Sequence, residues 1–302
     1  MPEIPDITVY VERLEEFLIG KSLEELRVVS PFVLRTAVPS IRELVGKTVR
    51  EVRRLGKRIV LGLEGELFIV IHLMISGRLH WKKRGSSVPR RNGLAAFDFP
   101  TGTLTFTEAS TKKRASLHIV HGEEDLLTFD RGGLEILEAT FAAFHKQLQR
   151  ENHTLKRALT DPHIFSGIGN AYSDEILHRA RLSPVKQTKT LSAEEARNLF
   201  HATQNTLTEW IHRLRKETGA GFPENVTAFR EEMAVHGRYR KPCPDCGAPV
   251  QRIVYAQNEV NYCPECQNNG NLLADRSLSR LLKKNWPKNL EELEMRSQRV
   301  VK

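Results

Sequence analysis

The sequence predicts an α+β chain of several domains, with a β-rich front led by one helix, a helical middle, and a small cysteine-built module near the end. Three observations carry that prediction. Between about residues 25 and 130, short apolar runs recur with glycine turns between them, the pattern of a sandwich or barrel. From about residue 140 the apolar spacing becomes helical. All four cysteines fall within residues 243–266, in two Cys-x-x-Cys pairs.

Taken in order, the chain opens Met1-Pro2-Glu3-Ile4-Pro5-Asp6. Asp6 is a candidate helix N-cap, followed by Ile7, Val11, Leu14 and Leu18 at helical spacing and stopped at Gly20. Strands are expected around residues 26–29, 49–52, 58–61, 67–72, 95–99 and 103–106, with turns at Gly46, Gly65, Gly77 and Gly102. The stretch from Trp81 to Gly93, with five basic residues, reads as a mobile loop. Leu155, Ala158 and Leu159 mark a helix ended by Asp161-Pro162. A second apolar face at Tyr172, Ile176, Leu177 and Ala180 follows Ser166-Gly167-Ile168-Gly169-Asn170. Ser192-Ala193-Glu194-Glu195 is a capping box opening a long helix through Leu214. Residues 219–223 break it, and Pro287 to Leu293 reads as a last helix.

A length of 302 residues by itself suggests about two domains. The net charge of +9 and pI near 9.5 favour an anionic partner, nucleic acid first. No apolar run is long enough to span a bilayer, and the acidic, proline-punctuated start is not a secretory signal. No membrane partner is therefore expected, and a cytoplasmic location is. Nothing in the sequence calls for an oligomer, so a monomer is expected.

Cys243-x-x-Cys246 and Cys263-x-x-Cys266 are separated by sixteen residues, the spacing of a four-thiolate zinc site. Four thiolates leave no open position for water, so one structural zinc is expected, without a catalytic role. Val250, Ile253, Val254 and Tyr262 predict a β-hairpin between the two pairs.

The Pro-Glu start before an early helix, the β-rich front, the helical middle with Gly-Ile-Gly-Asn, and the terminal four-cysteine hairpin occur here in one order. Over roughly residues 2–267 the chain resembles the formamidopyrimidine-DNA glycosylase / endonuclease VIII family of base-excision repair enzymes. The resemblance implies an N-terminal β-sandwich (residues 1–135), a helix–two-turn–helix domain (136–225) and a zinc finger (226–270); the basic tail (271–302) has no counterpart in the compact relatives. It implies a DNA glycosylase and abasic-site lyase acting on damaged double-stranded DNA, associated with the bacterial nucleoid when bound. The flipped-out nucleotide would meet the amine of Pro2, freed by loss of Met1, as nucleophile; Glu3 would serve as proton shuttle and Lys57 as a contact to phosphate and sugar. An α-amino group titrates near 8, so a useful fraction is neutral at physiological pH. Asn170 and Lys156 would be phosphate ligands, and Glu175 an anchor of their turn.

Several positions depart from the family pattern. The zinc-hairpin arginine is replaced by Asn258, with Arg276 and Arg280 as candidate substitutes. The duplex wedge reads His72-Leu73-Met74-Ile75-Ser76-Gly77, which assigns filling of the flipped base's place to Ile75 with Met74. The Arg-Arg-Phe loop becomes Lys112-Lys113-Arg114-Ala115. The loop before the zinc module is shorter than in 8-oxoguanine-specific members. These departures motivate an alternative, a catalytically idle lesion- or DNA-structure-binding protein of the same fold, and a more distant one, a zinc ribbon unrelated to repair.

Overall fold

The computed structural model describes residues 1–255, 258–274, 287–293 and 295. The chain divides into two compact units, Met1–Gly133 with Thr208–Ala228, and Leu134–Leu207 with Phe229–Lys302. Among the described residues no helix is long and apolar enough to cross a membrane.

The first unit begins with α1 (Ile4–Leu18), whose Ile7, Tyr10, Leu14 and Leu18 are fully buried. The helix starts earlier than expected: its N-cap is Glu3, and Asp6 is the third helical residue, its carboxylate accepting the Glu3 amide N–H at 3.0 Å. Pro5 is tolerated there because first-turn amides have no helical partner to lose.

Eight strands follow: β1 (Glu25–Val28), β2 (Val49–Leu55), β3 (Arg58–Leu63), β4 (Leu67–His72), β5 (Gly77–Lys82), β6 (Gly93–Phe99), β7 (Gly102–Glu108) and β8 (Ser116–His121). They form two four-stranded antiparallel sheets, ordered β1-β6-β7-β5 and β2-β3-β4-β8. Residues of both sheets, including Phe97, Leu104 and Phe106 of one and Ile59, Ile69 and Leu117 of the other, share a core with α1. This is the expected sandwich. A short helix, α2 (Glu123–Leu127), buries Leu126 against Val60, Phe68 and Val70 on the other face of the second sheet.

Six strands match the apolar runs; β5 and β8 were not anticipated. In β5 the alternating Arg78, His80 and Lys82 hide a strand held by pairing with β7, and only Gly77 and Leu79 are buried. Gly77, expected as a turn, opens it, and the expected loop from Trp81 loses its first two residues to the strand.

The segment Gly219–Ala228 returns to the sandwich. Phe222 packs on Tyr10 and Phe17 at ring distances of 5.6 and 6.0 Å, and Val226 joins the core. The Glu224 carboxylate meets His80 Nδ1 at 2.6 Å, and Arg78 Nε donates to the Val226 carbonyl at 2.6 Å.

The second unit contains α3 (Phe141–Leu148), α4 (Leu155–Thr160), α5 (Asn170–Arg179) and most of α6 (Ala193–Thr218). Phe144, Phe165 and Phe200 pack together in it, with ring distances of 4.9 and 5.4 Å from Phe144. The capping box of α6 is present: Ser192 N–H donates to Glu195 Oε2 at 2.9 Å, and Glu195 N–H to Ser192 Oγ at 3.1 Å. The cysteine module is a hairpin of β9 (Gln251–Tyr255) and β10 (Asn258–Tyr262), then α7 (Pro264–Asn268). After it the chain folds back: Leu273 N–H donates to the Tyr262 hydroxyl and Leu272 N–H to the Lys288 carbonyl, both at 2.8 Å. Of the expected last helix, residues 290–293 are helical. Arg276 and Arg280 lie outside the described residues.

Candidate functional site

The first unit gathers charge around the N-terminus. Pro2, Glu3 and Asp6 are buried where α1 begins. Burial is the largest influence on the Met1 amine and holds its pKa below the ordinary value; Arg78 and Lys57 push the same way, against Glu3 and Asp6. Thus Lys57 and Glu3, far apart in sequence, share one neighbourhood with the terminal amine. Lys57 lies in the two-residue turn joining β2 to β3, after Gly56 at φ +61°, between the paired Leu55 and Arg58. Glycine in the left-handed region is what such a tight hairpin turn requires.

His72, across the ladder from Arg58, has its pKa pushed down to about 4 by burial, with Arg58, Lys57 and His118 adding to the effect. It is a neutral imidazole in a cationic setting. The register that brings it to Lys57 is a tertiary fact the sequence motif does not state.

The turn from Leu73 to Gly77 presents Ile75, 60% exposed, beyond the half-buried Met74 at φ +53°. Core packing therefore does not account for Ile75. The turn is tight enough that a Cβ on Gly77 would lie 2.2 Å from the Leu73 carbonyl oxygen. Arg78 braces it: Nη1 donates to the carbonyls of Ile75 at 3.2 Å and Gly77 at 2.6 Å, while Nε reaches Val226. All three acceptors are neutral backbone carbonyls.

The loop residues Lys112, Lys113 and Arg114 are exposed. The loop's anchor was not foreseen. Glu108, 1% exposed at the end of β7, accepts the backbone N–H groups of Arg114 at 3.0–3.1 Å and Ala115 at 3.2 Å. The Lys113 ammonium donates to the Glu108 backbone carbonyl.

In the second unit, Gly169 caps α5 and Asn170 is its first residue, half-buried, with Nδ2 donating to the Glu259 carbonyl at 2.8 Å. Lys156, expected at a phosphate, is largely buried, and its ammonium is spent on Asp174 and the Asn170 carbonyl. Asp174, fully buried, also accepts from His236 Nδ1 at 2.8 Å and from Asn261 N–H at 3.2 Å. Glu175, expected to anchor the glycine–asparagine turn, instead holds the segment before the zinc module: its carboxylate accepts the amides of Ala234, Val235 and His236 at 2.7–2.9 Å. Burial pushes Glu175 above the usual carboxylate range, with those amides opposing it. Asn258 opens β10 opposite Tyr255; its side chain lies outside the described residues.

The four cysteine sulfurs lie within 4.8 Å of one another, with Cys243–Cys266 at 3.9 Å and Cys246–Cys263 at 3.4 Å. A regular tetrahedron with Zn–S bonds of about 2.3 Å has edges of about 3.8 Å, so this cluster fits zinc. Burial pushes the Cys266 thiol up to about 12, and a coordinated cation is what allows such a thiol to ionise.

A sandwich led by a buried N-terminal Pro-Glu, a helical pair around a glycine–asparagine turn and a four-cysteine zinc hairpin define a DNA-repair glycosylase. Family models match each part: the formamidopyrimidine-DNA glycosylase N-terminal domain over residues 1–115, its H2TH domain over 133–220, and the zinc finger found in FPG and IleRS over 240–269. Formamidopyrimidine-DNA glycosylase of Thermus thermophilus is 31% identical over 277 residues, which span 89% of this chain and all of the relative. The enzyme of Ligilactobacillus salivarius is 30% identical over 278 residues, 88% of this chain and 99% of its own. The crystal structure of the Fpg protein of Thermus thermophilus has a TM-score of 0.73 at 30% identity, covering 88% of this chain and 98% of that one. Lactococcus lactis Fpg with DNA containing an abasic site matches the fold with a TM-score of 0.77 at 22% identity, covering 88% and 99% of the two chains. The chain belongs to the formamidopyrimidine-DNA glycosylase family of base-excision repair enzymes, with its glycosylase and abasic-site lyase activities, and carries that family's structural zinc finger.

Proposed function

We propose that this glycosylase excises a damaged base from duplex DNA and cleaves the resulting strand through the secondary amine of Pro2. The observation that carries the proposal is the burial of the terminal amine near Lys57 and Arg78, which outweighs the opposing pull of Glu3 and Asp6 and favours its neutral, nucleophilic form. Loss of Met1 puts the Pro2 nitrogen at that terminus. The nitrogen forms a bond to C1′ as the bond from C1′ to the base breaks. Glu3 delivers a proton to the ring oxygen as the sugar opens, leaving an iminium ion. The iminium acidifies C2′; loss of a C2′ proton expels the 3′ phosphate from C3′, and water releases the amine. Lys57 and Arg78 supply positive charge for the sugar's phosphates.

Lys112, Lys113 and Arg114 contact the DNA backbone, and Ile75, backed by Met74, takes the place vacated in the stack. Asn170 offers its turn to a phosphate, while Lys156 positions that turn from within. Asn258 supplies at most a neutral hydrogen bond in place of an arginine's charged grip. The basic surface, net +9, suits a monomer working at the nucleoid.

The test is borohydride reduction with an abasic duplex. Wild-type protein is expected to give a covalent protein–DNA adduct mapping to Pro2, and P2L, which also retains Met1, to give none. Absence of the wild-type adduct would sink the reading and leave the idle DNA-binding protein in its place.

A further inference from the structure

The zinc is held by more than its own hairpin. Helix α5 lays three polar side chains one turn apart, Asn170, Asp174 and His178, and each meets the cysteine module: Asn170 at the Glu259 carbonyl, Asp174 at the Asn261 amide, His178 at Cys243. Spacing of four places such residues along one helical face. The first two contacts position backbone. The third reaches a metal ligand.

We infer that His178 donates its Nε2–H to the zinc-bound thiolate of Cys243, so that the helical domain supplies the outer hydrogen bond of the metal site. The Nε2 to Sγ distance is 3.3 Å, and both residues are almost wholly buried, at 4% and 3% exposure. Four thiolates on one Zn²⁺ carry a formal charge of −2, and in a dry site that excess needs donors aimed at sulfur. One is the Cys266 amide on Cys263 Sγ, at 3.4 Å. His178 is the side-chain counterpart on Cys243. The competing acceptor is Asp245, whose carboxylate lies 4.0 Å from Nε2, beyond hydrogen-bond reach, and 3.7 Å from Arg181, which draws it away. The thiolate therefore accepts the hydrogen bond, fixing Nε2–H as the tautomer.

The test uses the full chain with its zinc exchanged for cobalt(II), whose thiolate-to-metal absorption band reports charge on sulfur. Removing a hydrogen bond makes the thiolate a better donor, so H178F is expected to move the band to longer wavelength. In competition with a chelator, the zinc form of H178F should hold its metal about 10–100-fold more weakly. H178Q, which keeps an N–H near Nε2, should return both readouts toward wild type, whereas D245N should leave the band in place. A merely packing role for His178 would weaken retention without moving the band. The inference is overturned if H178F keeps the wild-type band, or if D245N moves it as far. Should H178F not fold, the H178Q and D245N spectra decide together with H178A: a band shared by H178Q and wild type but shifted in H178A supports the inference, and an unshifted H178A refutes it.

Discussion

Both units fasten a functional turn to a buried carboxylate, but they treat positive charge in opposite ways. In the sandwich, Glu108 binds backbone amides of the loop that carries Lys112, Lys113 and Arg114, and Arg78 spends its donors on carbonyls. In the helical unit, Asp174 sits against Lys156 and His236 and consumes charge internally. The histidines divide in the same way. His72 faces cations and is kept neutral, whereas His236 faces a carboxylate. A loop meant to offer cations outward is best held by its backbone, because a carboxylate placed on the side chains would cancel what the loop presents. A turn that works through backbone and amide groups can be built on an internal ion pair.

The largest expected effect of breaking this contrast is at Asp174. D174A strands the Lys156 and His236 groups in the interior and should cost about 3–5 kcal/mol in urea unfolding, with D174A/K156M recovering much of that loss. Full recovery by K156M would show that the ion pair, and not the Asn261 contact, is what Asp174 supplies. At Glu108 the partners are neutral amides, so E108A should cost less, about 1–3 kcal/mol. The same variant should loosen the basic loop and flatten the salt dependence of DNA binding; an unchanged salt slope would detach Lys112–Arg114 from the DNA. The smallest effect concerns His72. Its folded pKa of about 4 lies below the ordinary 6.5, so the unfolded chain binds more protons between these values and stability falls as pH drops through 6.5 toward 4. At pH 5.5 the loss should be about 1 kcal/mol, and H72Q should remove that part of the slope. An H72Q profile identical to wild type would place the acid sensitivity elsewhere.

How far the sequence revealed all this varied with distance along the chain. The zinc ligands were legible because two Cys-x-x-Cys turns carry their geometry locally. Glu175 was legible as an anchor, but the segment it holds, about sixty residues on, was not. Lys57 was found by resemblance alone, since one lysine beside a glycine says nothing of the amine it faces. Arg78, Glu108, Asp174 and His178 went unread because their partners lie anywhere from one to 148 residues away and are often backbone groups, which leave no mark in a sequence. Strand β5 was hidden by the polar alternation that places Arg78 and His80 where they work. Asp6 misled because a residue that caps from inside the first turn has the same chemistry as one that caps from outside it.

The return of residues 219–228 to the sandwich sets an order of events during synthesis. When the ribosome has delivered the eight strands, Tyr10 and Phe17 still lack Phe222, and Arg78 still lacks the Val226 carbonyl. About a hundred residues, including the five helices α2 to α6, must emerge before that cover arrives. The neighbourhood of the terminal amine is thus among the last parts of the first unit to be completed, and the half-made chain does not yet have the Val226 contact of Arg78, which braces the turn carrying Ile75.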